Sequence, residues 1–189
     1  MLHEISFRSF NERDTVYGWI YDPACDPKGI VQIVHGFGEH SRRYLYMITA
    51  FMDAGYIVAA DDHVGHGKTA LENGIWGDWG DKGPHTMTED EHTLKTLVCE
   101  KYPALPYFLF GHSMGSFLAR QYLCMNGKGM AGAVIMGTGY QPKAVTALGM
   151  TLCRMIASIA GWKCRSRLVD AMAFGSYNRK FGSPAGKEW

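Results

Sequence analysis

The chain has 189 residues, 47% hydrophobic and 13% aromatic, which suits one domain with a buried core and excludes intrinsic disorder. Lys and Arg number 19 against 18 Asp and Glu, so the net charge is +1; with no block of like charge, a nucleic-acid-binding surface is not expected. The five cysteines (Cys25, Cys99, Cys124, Cys153, Cys164) are odd in number and lack C-x-x-C spacing, so neither a disulfide framework nor a zinc knuckle is expected.

Short β-type runs alternate with helical patterns along the chain, which predicts an α/β fold: a mostly parallel sheet with helices on both faces. Met1-Leu2-His3-Glu4 opens the chain without the cationic start and apolar run of a secretory signal, so a cytoplasmic location is expected. Residues 15–21 (TVYGWIY) read as a strand closed by Asp22-Pro23, and 29–35 (GIVQIVH) as a β-branched strand ending in Gly36-Phe37-Gly38. A helix is predicted over 43–54 with Gly55 as its stop, then a buried strand over 56–60 (YIVAA). Residues 61–85 have little periodicity and read as a long loop with about one turn of helix. Capping-box patterns at Thr86–Glu89 and Thr88–Glu91 start a helix that runs to about Tyr102. Residues 107–110 (YFLF) form a strand, 114–125 a helix closed by Asn126-Gly127, and 131–136 (AGAVIM) the last strand; about six core strands are expected in all.

Beyond Gly139 the pattern becomes helical. Leu148, Leu152, Met155, Ile156 and Ile159 share one face, opposite Thr151, Arg154 and Ser158, and a second helix is predicted over 167–174. The run 144–162 carries Arg154 and several small polar residues, too polar for a membrane span.

The strongest motif is Gly111-His112-Ser113-Met114-Gly115, between a strand and a helix. That is the context of a G-x-S-x-G elbow: a sharp turn flanked by small residues lifts the serine hydroxyl clear of the sheet edge, beside a helix N-terminus. The alternative is an ordinary strand–helix turn with a capping serine. A second motif, His35-Gly36-Phe37-Gly38-Glu39-His40, ends an earlier strand. Paired with the elbow, it predicts an oxyanion hole made by the backbone N–H groups of Phe37 and Met114. A third, Asp61-Asp62-His63-Val64-Gly65-His66-Gly67-Lys68, clusters acids and histidines. Its spacing fits neither a zinc helix nor a calcium loop, so it reads as a structural loop beside the site, with no metal expected.

These segments, VHGFGEHSRRY (34–44), DDHVGHGKT (61–69) and FGHSMGS (110–116), resemble the α/β-hydrolase superfamily, and within it the monoacylglycerol lipase and lysophospholipase group with its related serine aminopeptidases. The resemblance covers residues 4–140 well and implies a hydrolase core over 1–140, with 141–189 as the start of a helical lid. It makes Ser113 the nucleophile of a serine hydrolase of carboxylic esters, with a lipid-like substrate such as a monoacylglycerol or lysophospholipid. It implies no cofactor. The face at Leu148, Leu152, Met155, Ile156 and Ile159 then suits acyl-chain binding and peripheral membrane contact, although ordinary helix packing explains it equally.

The family's triad runs Ser, acid, His along the chain. No histidine follows His112 here, and the only later acids are Asp170 and Glu188. Triad acid and histidine are therefore not expected on these residues, and an N-terminal fragment of low activity is expected. The competing readings are a complete chain that lost its triad, serving as a ligand- or protein-binding module, and a substitute base among His40, His63 and His66. Peptidase and acyltransferase chemistry share the same elbow. A fragment would leave the strand at 131–136 as an apolar sheet edge prone to self-association.

Overall fold

The computed structural model describes residues 1–83 and 85–178. Its elements are β1 (Leu2–Arg8), β2 (Thr15–Tyr21), β3 (Gly29–Val34), a 3-10 turn (Ser41–Tyr44), α1 (Leu45–Asp53), β4 (Tyr56–Asp62), α2 (Gly67–Asn73), α3 (His85–Lys101), β5 (Tyr107–His112), α4 (Met114–Asn126), β6 (Met130–Met136), α5 (Lys143–Ala160) and α6 (Arg167–Asn178). The strands form one sheet in the order β1-β2-β4-β3-β5-β6. β1 and β2 form an antiparallel hairpin, and β2 runs antiparallel to β4. β4, β3, β5 and β6 are mutually parallel.

Period-2 alternation assigns the core. Trp19, Val31, Ile33, Val58, Ala60 and Phe110 turn to one face, where Ile48 of α1 packs on them. Ile20, Ile30, Ile57, Ala59 and Tyr107 turn to the other, against Leu94 and Val98 of α3. Every residue of β3 is buried, as a central parallel strand requires. Each large aliphatic side chain so enclosed stabilises the fold by roughly 1.5–3 kcal/mol.

Several expected boundaries move. Leu2–Arg8 is a strand beyond those expected; half-buried His3, Ile5 and Phe7 alternate with exposed neighbours, a period-2 pattern weakened because only two of the three inward residues are apolar. The helix expected over 43–54 divides into the 3-10 turn and α1, stopped by Gly55 at φ +86°. The loop expected over 61–85 is shorter, because β4 continues to Asp62 and α2 occupies Gly67–Asn73.

The chain divides into two compact units, Met1–Thr138 and Gly139–Trp189. In the second, α5 has no buried residue: Leu148, Met155 and Ile159 are exposed, Leu152 and Ile156 half-buried. By length and composition alone, α5 is long and apolar enough to cross a membrane, with a mean hydropathy of 1.3 over 18 residues, Arg154 among them. Glu188 lies outside the described residues, as does the stretch 182–189.

Candidate active site

The chain runs from β3 outward to β4 on one side, then returns past β3 to β5 on the other. This reversal makes the C-terminal ends of β3 and β5 a topological switch point, the place where α/β sheets bind ligands. Val34 and Gly111 pair in register there, so the loop after β3 and the turn after β5 leave the sheet side by side.

The turn after β5 carries Ser113 at φ 53°, ψ −118°, a conformation that costs a non-glycine residue about 1–3 kcal/mol. Its neighbours show why the strain persists. A Cβ on Gly115 would lie 2.0 Å from the Val34 carbonyl oxygen, and one on Gly111 would lie 2.5 Å from the Gly115 carbonyl oxygen. Only glycine lets α4 start this close to β3. Ser113 N–H donates to the Met136 carbonyl at 3.0 Å, and its own carbonyl accepts from Ser116 N–H and Ser116 Oγ at 3.0 and 2.6 Å. The backbone is thus tied to β6 and α4 on either side of the half-buried side chain.

The loop after β3 approaches closely: a Cβ on Gly36 would meet Ser113 Cβ at 3.2 Å. Phe37 follows, 46% exposed, its ring edge-on to His66 at 5.5 Å. Met114 is the first residue of α4. The two candidate oxyanion donors therefore flank Ser113, one on the adjacent loop and one at the helix N-terminus, whose dipole favours negative charge.

Glu39 braces this loop. Its Oε1 accepts from Gly36 N–H at 2.5 Å and from Tyr44 O–H at 2.5 Å, and it lies 3.3 Å from His112 Nδ1. Burial alone would raise the Glu39 carboxyl, but the hydrogen bonds from Tyr44 and Gly36 outweigh it and hold the group below the ordinary carboxylate range. Burial and the Glu39 charge together push the Tyr44 phenol up. Glu39 and Tyr44 lie within the segment 34–44, yet no local spacing marks them as loop braces, and His112 is 73 residues from Glu39.

Asp62 performs a second bracing role. Oδ1 accepts from Ser41 N–H and Ser41 O–H at 2.8 and 2.7 Å, and Oδ2 accepts from Lys68 N–H at 2.7 Å. One buried carboxylate thus joins the loops after β3 and β4.

Of the three histidines considered as substitute bases, His40 is half-buried just before the 3-10 turn, while His63 and His66 contact backbone carbonyls, His63 through Nε2 at 3.2 Å from the carbonyl of the neighbouring His35. His35 Nδ1–H donates to the Gly36 carbonyl at 2.8 Å, and its Nε2 accepts from His63 N–H at 3.0 Å. Burial, with His63 and His66 nearby, lowers the His35 pKa well below its usual value. His66 Nδ1–H donates to the Val64 carbonyl at 3.0 Å, and burial lowers its pKa to about 4. Among the described residues no histidine hydrogen-bonds to Ser113 Oγ. Asp170, the remaining described acid after Ser113, is exposed on α6.

The third motif does bring acids and a histidine together, with a member the sequence reading did not assign. Asp61, His63 and Glu91 offer ligand atoms all within 4.8 Å of one another, and all three residues are buried.

This arrangement has relatives. The family model described as serine aminopeptidase, S33, matches residues 25–181, most of the chain. The chain belongs to that α/β-hydrolase family. A thermostable carboxyl esterase from Bacillus coagulans is 54% identical, with a TM-score of 0.83 over 89% of this chain and 55% of its own. A lipase in an open form is 40% identical, with a TM-score of 0.84 over 93% of this chain and 57% of its own. Human monoglyceride lipase is 36% identical over 99 residues, 52% of this chain and 31% of the human protein. The chain therefore spans little more than half of each of these two structural neighbours and under a third of the human relative.

Proposed function

We propose that the protein is a serine hydrolase of carboxylic esters, acting on lipid-like esters such as monoacylglycerols or lysophospholipids. The observation that carries this reading is the strained Ser113 at the sheet's reversal point, 3.2 Å from the position of a Gly36 Cβ. In the reaction, Ser113 Oγ attacks the ester carbonyl and a histidine base takes its proton. The N–H groups of Phe37 and Met114 hold the tetrahedral oxyanion; its collapse breaks the ester C–O bond as the histidine returns the proton to the leaving alcohol, and a water deprotonated by the same base then cleaves the acyl–Ser113 ester to release the acid and restore the hydroxyl. The relatives named as monoglyceride lipase and carboxyl esterase support an ester rather than another acyl substrate.

Among the described residues no histidine hydrogen-bonds to Ser113 Oγ, which supports little turnover by these 189 residues alone. We take α5 as part of a lid: Leu148, Leu152, Met155, Ile156 and Ile159 would contact acyl chains or a membrane surface. Self-association through β6 and a cytoplasmic location complete the proposal.

A chimera tests the chemistry. These residues, joined to the C-terminal part of the Bacillus coagulans esterase, are treated with a fluorophosphonate and weighed intact. The expected result is one adduct on Ser113 and monoacylglycerol hydrolysis, both lost in Ser113→Ala, with no adduct on the 189-residue chain. A folded chimera that stays unlabelled would overturn the reading in favour of a non-catalytic module. Faster turnover of aminoacyl anilides than of esters would move the substrate assignment to peptides, in line with the family's description.

A further inference from the structure

Behind the loop after β3 lies a buried polar cluster that the hydrolytic reading does not use. Asp61 is near the end of β4, His63 just beyond it, and Glu91 on α3. Their side chains are at most 1% exposed. His63 Nδ1 stands 3.5 Å from Asp61 Oδ2 and 3.3 Å from Glu91 Oε1. None of Asp61 Oδ1, Asp61 Oδ2, His63 Nδ1 or Glu91 Oε1 has a hydrogen-bond partner. Buried polar atoms are nearly always paired, so four orphans in one cluster call for an explanation.

The outer contacts fix how these atoms point. His63 Nε2 lies 3.2 Å from the His35 carbonyl oxygen, a bond that requires the proton on Nε2. In the neutral ring this leaves a lone pair on Nδ1, aimed at two carboxylates. Glu91 Oε2 accepts from Gln32 Nε2, and Gln32 Oε1 accepts from Tyr107 O–H at 2.5 Å. That chain of bonds turns the free Oε1 inward. A histidine whose far ring N–H is held by a carbonyl, and a carboxylate oriented by an amide, are the outer contacts that orient metal ligands.

We propose that Asp61, His63 and Glu91 form a buried site for a divalent metal cation, with two carboxylate oxygens and His63 Nδ1 as ligands. The charge balances: two carboxylates and a neutral imidazole offset a 2+ ion, whereas without an ion the two buried carboxylates have one shared cationic partner at most, His63, at 3.5 and 3.3 Å, and one negative charge stays uncompensated at a cost of several kcal/mol. Ligand atoms within 4.8 Å of one another suit bonds of about 2.0–2.2 Å to a central ion after a small adjustment. One imidazole and two carboxylates suit manganese, iron or zinc more than the soft ions that thiolates select. The role is structural. The ion would join α3 to the end of β4 and, through His63, hold the His35 carbonyl at the base of the Gly36 loop.

Manganese is the probe, because the exposed thiols Cys25, Cys124, Cys153 and Cys164 would bind zinc adventitiously. The protein is expressed in manganese-supplemented medium, desalted, and assayed by elemental analysis and electron paramagnetic resonance. The expected result is roughly one tightly held ion per chain, with a thermal midpoint that drops by roughly 5 °C on chelation. Glu91→Gln and Asp61→Asn, each near-isosteric, should bring the metal content to background. Wild-type protein without bound manganese, iron or zinc, and with no response of the midpoint to chelator, would overturn the proposal; two protons would then balance the cluster. Metal retained in folded Glu91→Gln would overturn it equally, by placing the ion elsewhere.

Discussion

The centre of the sheet and its β6 edge obey different rules. At the centre, β3 is buried along its whole length, and the turns beyond β3 and β5 leave no room for a single added carbon at Gly115. At the edge, β6 pairs only with β5 among the described residues, and Val134 and Met136 are 54% and 50% exposed. Residue identity at the centre is dictated by what surrounds it. At the edge, Met130 and Ile135 still pack against the core, but the outward Val134 and Met136 bear on what the strand meets outside the fold. The comparison implies a gradient of substitution effects from Gly115 down to Val134.

The largest effect is expected at Gly115. An alanine Cβ would sit 2.0 Å from one backbone carbonyl oxygen and 2.6 Å from the next, and neither can swing away as a side chain can. Gly115→Ala should therefore cost roughly 3 kcal/mol or more, above the ordinary range for overpacking. A urea midpoint within error of the wild type would show that α4 is not pressed against β3.

Next comes Glu39, which tests whether the loop after β3 shares the rigidity of the strands. Glu39→Gln keeps the shape but weakens charge-assisted bonds, so it should destabilise by roughly 1–3 kcal/mol at neutral pH. The pH dependence is more diagnostic. The folded-state carboxyl titrates below its ordinary value, so its stabilisation is fully present above that value and is lost as pH falls through the depressed one. Wild type and Glu39→Gln should therefore converge in stability as pH drops below the normal carboxylate range. Parallel stability curves down to acid would show that the Glu39 charge contributes nothing to holding Gly36 and Tyr44.

Much of the central region was legible in the sequence. β3, β5 and α4 carry strong patterns, apolar β-branched runs and a Gly-x-Ser-x-Gly turn, because the geometry there tolerates few alternatives. The loop that carries Phe37 and the turn that carries Ser113 and Met114 leave the sheet side by side, at the ends of two strands that their motifs mark. Glu39 and Glu91 were not legible as a brace and a cluster member. Glu39 holds Gly36 and Tyr44, three and five residues away, at a spacing that belongs to no regular element, and reaches His112 only through the tertiary fold; Gln32, the partner of Glu91, is 59 residues away. A glutamate on a helix reads as a solvated face until tertiary packing buries it. Likewise α2 was hidden because its short run, GKTALEN, has too few turns to show a period.

Ser113 reverses the sign of the gradient within the centre itself. Its φ of 53° is costly for any residue with a Cβ and free for glycine. Ser113→Gly should keep the turn and raise stability by about 1 kcal/mol, while removing the hydroxyl that the proposed chemistry needs. A calorimetric comparison with Ser113→Ala separates the causes: alanine keeps the strain and should gain nothing, glycine should gain. Equal stability of the two variants would mean that the turn is not strained.

The smallest effect on stability is expected at the edge. Val134 is exposed, so Val134→Lys removes little buried area and should change the unfolding free energy by less than about 0.5 kcal/mol. Its consequence lies in association. An unpaired strand offers a row of backbone N–H and C=O groups to another chain, and a lysine on that strand leaves its charge without solvent when a second strand docks. Sedimentation velocity over rising concentration should show the wild-type chain growing in mass and Val134→Lys remaining at the mass of one chain. If both variants sediment as monomers, the edge is already protected and the self-association proposal fails. If both associate alike, the contact lies elsewhere on the surface. Either result would leave the gradient in stability intact, because that gradient depends on what encloses each residue and not on what the edge recruits.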